Sequence, residues 1–497
     1  MGEPRNAAAV ILLRPTRGTA PYEVYLTRRN PALSFMGGFH AFPGGSTDAV
    51  DETVTVKAAP IDGPFCSALF RETFEELGVL LARGADALDA ARREELRRAL
   101  LEDAGAWARI VEENDLTLDG GCLLPMGLWI TPPYTPIRFK AHYCVAWLPD
   151  GQQPDIWPGE LTEGLWLTAN DALAGHRRGE LFISYPVLET LEVLDAHGAD
   201  LDAASAAMTA RGDDPYPHAG GEMITGVHIV PLETFTLPPA THTNAYVLGG
   251  KEMVVVDPAT PIAEEQERLC GYLDHLTGRG CRLQEIWLTH QHVDHIGAVE
   301  VVRERYRLPV AAHRLTARAL DGLLVVDRLI EDNEVTELDT GAGWMSCWQA
   351  LHTPGHAAGH LCFYEKRLGT LITGDNVLGL GTVMIAPPEG NMAQYMSSLR
   401  RLLDLKLGFI FPAHGPPVAA AREKIQEYID HRNERETSIL AALSRERTPR
   451  AVVPVVYTDV PEAVYPLAEV NVRAHLEKLV AEGRVRQLSG DRFVAAG

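Results

Sequence analysis

Thr289-His290-Gln291-His292-Val293-Asp294-His295-Ile296-Gly297 sets three imidazoles and one carboxylate within six residues, in the spacing His-x-His-x-Asp-His. The run before it, Glu285-Ile286-Trp287-Leu288, is strand-like in residue type, and Gly297-Ala298 breaks the pattern after it. The stretch reads as a loop that leaves a strand and enters a helix. Neutral imidazole and carboxylate are ligands that borderline metals such as zinc accept. With eighteen histidines in 497 residues, chance clustering in a solvated turn competes with that reading. What separates the two is whether the rest of the chain supplies further ligands.

Three places do. His356 lies in Thr353-Pro-Gly-His-Ala-Ala-Gly-His360, Asp375 in Leu371-Ile-Thr-Gly-Asp-Asn, and His414 in Phe409-Ile-Phe-Pro-Ala-His-Gly-Pro. Each is a polar residue delivered by a strand-like run into a Gly or Pro turn. Singly, each reads as an ordinary turn residue. Together with the cluster they make His290, His292, His356, Asp294, His295, His414 and Asp375, a set sufficient for two sites of three terminal ligands joined by one bridging carboxylate. Upstream, Asn244 to Asp257 reads as strand, Gly-Gly-Lys-Glu turn and strand, followed by a helix over Ala263–Leu276 and a strand over Leu283–Leu288. That order implies a layered α/β domain with the cluster at the carboxyl end of a strand, where α/β sheets place their sites.

On these residues the segment of about 222–420 resembles the metallo-β-lactamase-fold hydrolases. The resemblance implies an αββα fold and two zinc ions. It places His290, His292 and His356 on one metal, Asp294, His295 and His414 on the other, and Asp375 between them, with Asp294 also counted as catalytic. Asp257 would hydrogen-bond the ligand loop, and His360 would lie outside the ligand set. No Cys stands in a ligand position, which argues against antibiotic hydrolysis.

The remainder of the chain is long enough for about two more domains of ordinary size. Hydrophobic residues make up 46% and charged residues 23%, as in an ordinary globular protein. The longest apolar runs, such as Ala7–Leu13, fall far short of the roughly 20 residues of a membrane helix. The start reads Met1-Gly-Glu-Pro-Arg with no secretion pattern, and the seven scattered cysteines form no Cys-x-x-Cys pair, so the expected setting is the reducing cytoplasm. The net charge of −22 disfavours a polyanion-binding surface, although residues 421–497 are balanced, with twelve basic and twelve acidic residues.

Residues 7–15 and 22–28 read as two strands opening a mixed sheet, and the glycine-rich Ser34 to Gly45 implies backbone passing close to something. Cys66–Leu81 has helical period. Within it Glu72, Glu75 and Glu76 share one face at i, i+3 and i+4, while Phe70, Phe74 and Leu77 take the other. A solvated acidic face is the plain explanation. Oxygen-only ligands on one face also suit Mg2+ or Mn2+. Arg71-Glu-Thr-Phe-Glu-Glu-Leu-Gly78 resembles the second half of the Nudix hydrolase box. Gly45 and Asp51 stand at the spacing of its first half, with Asp in place of Glu and about a dozen extra residues before Arg71. With Phe42-Pro-Gly-Gly45 this is similar to the coenzyme A diphosphatase branch. The resemblance implies an α/β/α fold, the three glutamates on Mg2+ or Mn2+ at a pyrophosphate, Glu75 and Glu76 catalytic, and Arg71 orienting them. One further acid, Glu160 or Glu163, would come from a downstream strand.

Small residues, Pro and Gly around Ala203–Gly221 imply a linker. The expected organisation is therefore a Nudix-like domain at 5–205, a linker at 206–221, a metallo-β-lactamase-fold domain at 222–420 and a winged-helix-like domain at 421–497. The last rests on a charged helix from Ala421, helical stretches near Pro461–Tyr465 and Leu467–Glu482, and a hairpin from Gly483 with a Ser-Gly-Asp turn. A small packing or dimerisation domain is the competing reading, so a homo-oligomer stays open. Its join to the metal domain resembles the lactamase-like endoribonucleases. The function implied is a two-site metal-dependent hydrolase. The central domain would cleave an ester, thioester or phosphodiester, and the Nudix domain a diphosphate-linked small molecule of coenzyme A or nucleotide type. The alternatives are an endoribonuclease acting on single-stranded RNA and a scaffold on degenerate folds.

Overall fold

The computed structural model describes residues 3–33, 36–131, 137–210 and 220–496. Ser34 and Phe35 of the glycine-rich stretch, and residues 211–219 of the expected linker, lie outside them. The chain divides into two compact units, one running through Ala210 and including Gly221–Thr225, the other carrying everything from Gly226 onward.

The first unit is built on the strand Arg5–Pro15. It pairs in parallel with Phe139–Trp147, from Arg5 opposite Phe139 to Leu13 opposite Trp147, and antiparallel with Tyr22–Arg29 and Gly44–Ser46. Its unbroken apolar run is explained by burial on both faces. Ala8, Val10 and Leu12 pack against the helix Gly63–Leu77, while Ala9, Ile11 and Leu13 pack against the helices Ala169–Arg177 and Tyr185–His197. The result is a mixed sheet between helical layers.

Two expectations change here. The helix from Gly63 stops at Leu77 rather than Leu81, because Gly78 takes a φ of +66° and ends it in the left-handed conformation. Ala206–Ala210, expected in a linker, close the helix Leu201–Ala210, whose Ala204 and Met208 are buried. Small residues suggested flexibility there, but alanine is the best helix former, and this helix has a core to pack on.

In the second unit two sheets stack face to face. The first runs Arg328–Leu329, Val310–Ala312, Arg282–Trp287, Glu252–Val256, His242–Gly249 and Val227–Glu233 in spatial order. The second runs Val335–Asp339, Met345–His352, Leu361–Glu365, Thr370–Gly374 and Phe409–Pro412. Between them Trp287 lies over Phe363 with ring centroids 4.8 Å apart, and the Tyr246 hydroxyl donates to the Pro412 carbonyl at 2.6 Å. The helices Ala263–Gly278 and Val299–Tyr306 cover the outer face of the first sheet, and Met392–Leu403 with the start of Ala421–Ala442 covers the second. Helix, sheet, sheet and helix form the αββα order.

The helix Ala421–Ala442 runs on into a smaller core. Ile439 and Leu443 meet Val452, Val472, Leu476 and Phe493 there. The helices Pro449–Val456 and Tyr465–Ala481 and the hairpin Val485–Leu488 with Arg492–Ala495 complete a winged-helix module. The helix Pro449–Val456 is absent from the sequence reading because it contains Pro454. Pro449 stands at its first turn, where no amide hydrogen bond is needed. Among the described residues, no helix is long and apolar enough to cross a membrane.

Candidate metal centre

The strand Arg282–Trp287 delivers the cluster to the edge of the sheet. His290 leaves first, and His292 then caps the short helix Val293–Ile296, which carries Asp294 and His295. His356, Asp375 and His414 arrive at the ends of Met345–His352, Thr370–Gly374 and Phe409–Pro412. Three groups of ligand atoms lie within 4.8 Å of one another: His290, His292 and His356; His290, His295 and Asp375; and Asp294, His295 and His414. Asp375 touches both sides, with Oδ2 at 3.5 Å from His356 Nε2 and Oδ1 at 3.4 and 3.3 Å from the Nε2 atoms of His295 and His414. His414 Nε2 is 3.7 Å from Asp294. All seven residues expected at the site are brought together.

The outer hydrogen bonds decide which ring nitrogen faces inward. His356 Nδ1 donates to the Met384 carbonyl at 2.8 Å, and His414 Nδ1 to the His242 carbonyl at 2.9 Å. His295 Nδ1 donates to Asp257 Oδ2 at 2.9 Å. The Thr289 hydroxyl donates to the same carboxylate at 2.6 Å, so it accepts from His290 Nδ1 at 2.9 Å. His292 turns its Nε2 to Glu389 at 3.3 Å. Five imidazoles thus aim lone pairs into one volume, where His292 Nδ1 stands 2.9 Å from the Nε2 atoms of both His290 and His356. Among the described residues, His295 Nε2 and Asp375 Oδ1 are buried without a hydrogen-bond partner. Lone pairs and carboxylates facing one another this closely repel unless cations lie between them, so the donor set fits two borderline divalent metals.

Electrostatics agree. Burial drives His290 and His356 below the usual histidine range. Burial also acts to lower His295 and His414, but Asp375, together with Asp257 at His295 and the His242 carbonyl at His414, raises both. Burial would raise Asp375, yet His414 and His295 hold it well below the carboxylate range. The negative field that favours protons on those imidazoles favours a bound cation equally.

Second contacts hold the ligands in place. Asp257 accepts from the Thr289 amide at 2.8 Å as well as from its hydroxyl, and it does so in the left-handed region, at a φ of +47°. His360 is not aimed inward. Its Nε2 accepts from the Asp375 amide at 3.2 Å and its Nδ1 lies 3.0 Å from the Thr353 hydroxyl, so it fixes the backbone of the bridging residue. Gly374 must be glycine: a Cβ there would lie 2.7 Å from His360 Nε2 and 2.9 Å from the Thr289 Cβ. Glu389, which receives both His292 and the Gln291 amide, escaped the sequence reading. Its only local signal is an acid in the turn Pro387-Pro-Glu-Gly390.

In the first unit, Arg71 is buried at the centre of the acidic residues. Its Nη2 donates to Asp51 at 3.0 Å, and its Nη1 to Glu72 at 2.8 Å and Glu75 at 3.2 Å. Asp51 also accepts from the Ser67 hydroxyl at 2.9 Å, so the aspartate is integral to the cluster. The Gly44 amide donates to Glu76 at 2.8 Å, and a Cβ on Gly45 would fall 2.5 Å from the Glu72 carboxylate. This is the close approach that the glycine-rich stretch implied. Burial lifts all three glutamates, Glu72 to about 7 and Glu76 well above the usual range. Glu160 adds repulsion at Glu75 and Glu76, whereas Glu163 lies on a strand opposite Arg28 and acts on His40. Of the two candidate acids, Glu160 is the one whose charge acts on the glutamates of the cluster.

Residues 238–414 match the metallo-beta-lactamase superfamily, and residues 448–492 match the beta-lactamase associated winged helix domain. Over 253 residues the chain is 32% identical to the beta-lactamase-like protein 2 homolog of Drosophila melanogaster, covering 49% of this chain and 84% of that one. The chain therefore belongs to the metallo-beta-lactamase superfamily and carries the winged-helix module at its C-terminal side. Homologues with this fold are hydrolases. A beta-lactamase domain protein from Burkholderia ambifaria is similar in structure, with a TM-score of 0.49 and 20% identity over 56% of this chain and 93% of that one. A NUDIX hydrolase from Alicyclobacillus acidocaldarius is weakly similar to the N-terminal region, with a TM-score of 0.37 and 28% identity over 42% of this chain and 97% of that one.

Proposed function

We propose that the second unit is a binuclear zinc hydrolase of an ester, thioester or phosphodiester. His290, His292 and His356 would hold one ion, Asp294, His295 and His414 the other, and Asp375 both. The observation that carries this reading is the inward convergence of five imidazole lone pairs, four of them enforced by a hydrogen bond on the opposite ring nitrogen and the fifth, of His292, by Glu389 beside its Nε2. Zinc there supplies Lewis-acid polarisation of the scissile group and a nucleophilic water at neutral pH. Asp294 would also orient the attacking water and accept its proton. No protein nucleophile is required.

The first unit, in the same reading, is a Nudix-type pyrophosphohydrolase. Glu72, Glu75 and Glu76 would hold Mg2+ or Mn2+, Arg71 would be tied down by Asp51, and Glu160 would be the auxiliary acid. Support comes from the buried Arg71 network and the glycine backbone laid against the glutamates. A small anionic substrate of coenzyme A or nucleotide type suits both sites. The balanced charge of residues 421–497 offers little to a long RNA.

Metal analysis of the purified chain, followed by a panel of coenzyme A, acyl-coenzyme A, nucleoside diphosphate sugars, hydroxyacyl thioesters and single-stranded RNA with product identification, tests both assignments. About two zinc ions per chain and chelator-sensitive cleavage are expected. Well under one ion, with activity indifferent to chelators, would overturn the reading of the second unit.

A further inference from the structure

His356 is oriented by one backbone carbonyl, that of Met384. The residues on either side of Met384 are held by the C-terminal part of the chain. Arg432, buried on the long helix Ala421–Ala442, donates its Nη2 to the Val383 carbonyl. Asn471, on the winged-helix element Tyr465–Ala481, accepts from the Ile385 amide at 3.1 Å through a side chain that is itself buried. The carbonyl that sets a candidate metal ligand thus lies between two anchors that belong to neither sheet.

Three further observations support this arrangement. Ala474, one turn beyond Asn471, is buried in the core beneath the second sheet with Met396 and Leu399. The Arg432 guanidinium lies 5.6 Å from the ring centroid of Tyr395, whose hydroxyl donates at 2.8 Å to the carbonyl of Asn376, the neighbour of Asp375. Arg432 forms no ion pair among the described residues; its partners are the Val383 carbonyl, the Thr382 hydroxyl at 3.4 Å and the Tyr395 ring. A guanidinium buried without a carboxylate carries a desolvation cost that only these neutral partners offset, so its position depends on them.

We propose that the winged-helix module is a working part of the metal centre. Arg432 and Asn471 are positioning residues that clamp Val383–Ile385, and through the Met384 carbonyl they present His356 Nε2 to its metal. This rests on the reading of His356 as a ligand. Partners one step removed from a ligand typically change metal affinity by about 10–100-fold.

The test uses the full-length chain loaded with Co2+, whose d–d spectrum and chelator-competition affinity report each site separately. Asn471→Leu removes the acceptor, Asn471→Asp restores one, and Arg473→Ala on the same helix serves as a surface control. The expected result is that Asn471→Leu weakens one of two ions about tenfold, that Asn471→Asp recovers most of the loss, and that Arg473→Ala matches the wild type with an unchanged melting temperature. Wild-type affinity for both ions in Asn471→Leu would overturn the clamp alone. Equal weakening of both ions together with loss of the cooperative melt would also overturn it, by showing a general loss of fold. A wild-type chain that takes up no metal would remove the ligand reading and the clamp together.

Discussion

His295 Nδ1 stands 2.9 Å from Asp257 Oδ2, and Asp257 keeps that position with a backbone φ of +47°. One carboxylate therefore sets the ring orientation of a residue 38 positions away while it also receives the Thr289 amide and hydroxyl. Aspartate and asparagine are the non-glycine residues most tolerant of that backbone region, so Asp257→Asn separates charge from strain. The carboxamide would turn an N–H toward His295 and favour the wrong tautomer. Affinity for the ion on the His295 side is expected to fall by about 10–100-fold. Chelator competition measures it, and an unchanged constant would sink the assignment.

Metal removal should destabilise the second unit, because it leaves the convergent lone pairs and carboxylates facing one another. At a free zinc concentration of 1,000 times Kd the native state gains about 4 kcal/mol per site. A chelated sample is expected to melt well below the loaded one in calorimetry. Superimposable melts would rule out binding at the cluster.

In the first unit, Glu75→Gln and Glu76→Gln are each expected to lower Mg2+-dependent pyrophosphate cleavage about 100-fold or more. The zinc content of the second unit should not change. Assays on diphosphate-linked substrates beside metal analysis provide the check. Full cleavage by both variants would count decisively against the Nudix reading.

His475 is buried on the helix Tyr465–Ala481, and both of its ring nitrogens lack hydrogen-bond partners among the described residues. Burial pushes its pKa down to about 3 from 6.5, and Arg432, Lys478 and His431 act in the same direction. Between those two values the unfolded chain binds the extra proton. Stability from this group is therefore complete above pH 6.5 and declines as pH falls toward 3, by at most about 1.4 kcal/mol per pH unit. His475→Leu should flatten that acid limb in urea unfolding followed from pH 7 to pH 5. Identical pH slopes in variant and wild type would contradict the prediction.

The metal centre was legible in the sequence because its chemistry is local. Each ligand sits at the end of a strand-like run, in a turn whose Gly or Pro marks the exit, and four of the seven are contiguous enough to be read as one motif. The helix face of Glu72, Glu75 and Glu76 was legible for the same reason, since a period of 3.6 residues places them together without tertiary information.

What the sequence determined by itself is thus the inventory of inward-facing groups and the elements that carry them. The tertiary structure decided what holds those groups. Glu389 on His292, Asp51 on Arg71, and the anchoring of Met384 by Arg432 and Asn471 all join residues far apart in the chain. Their spacing carries no period, because such partners meet only when sheets stack and helices dock. The helix end at Ala210 was decided in the same way: composition allowed a linker, and the burial of Ala204 and Met208 against the first unit's core made it a helix.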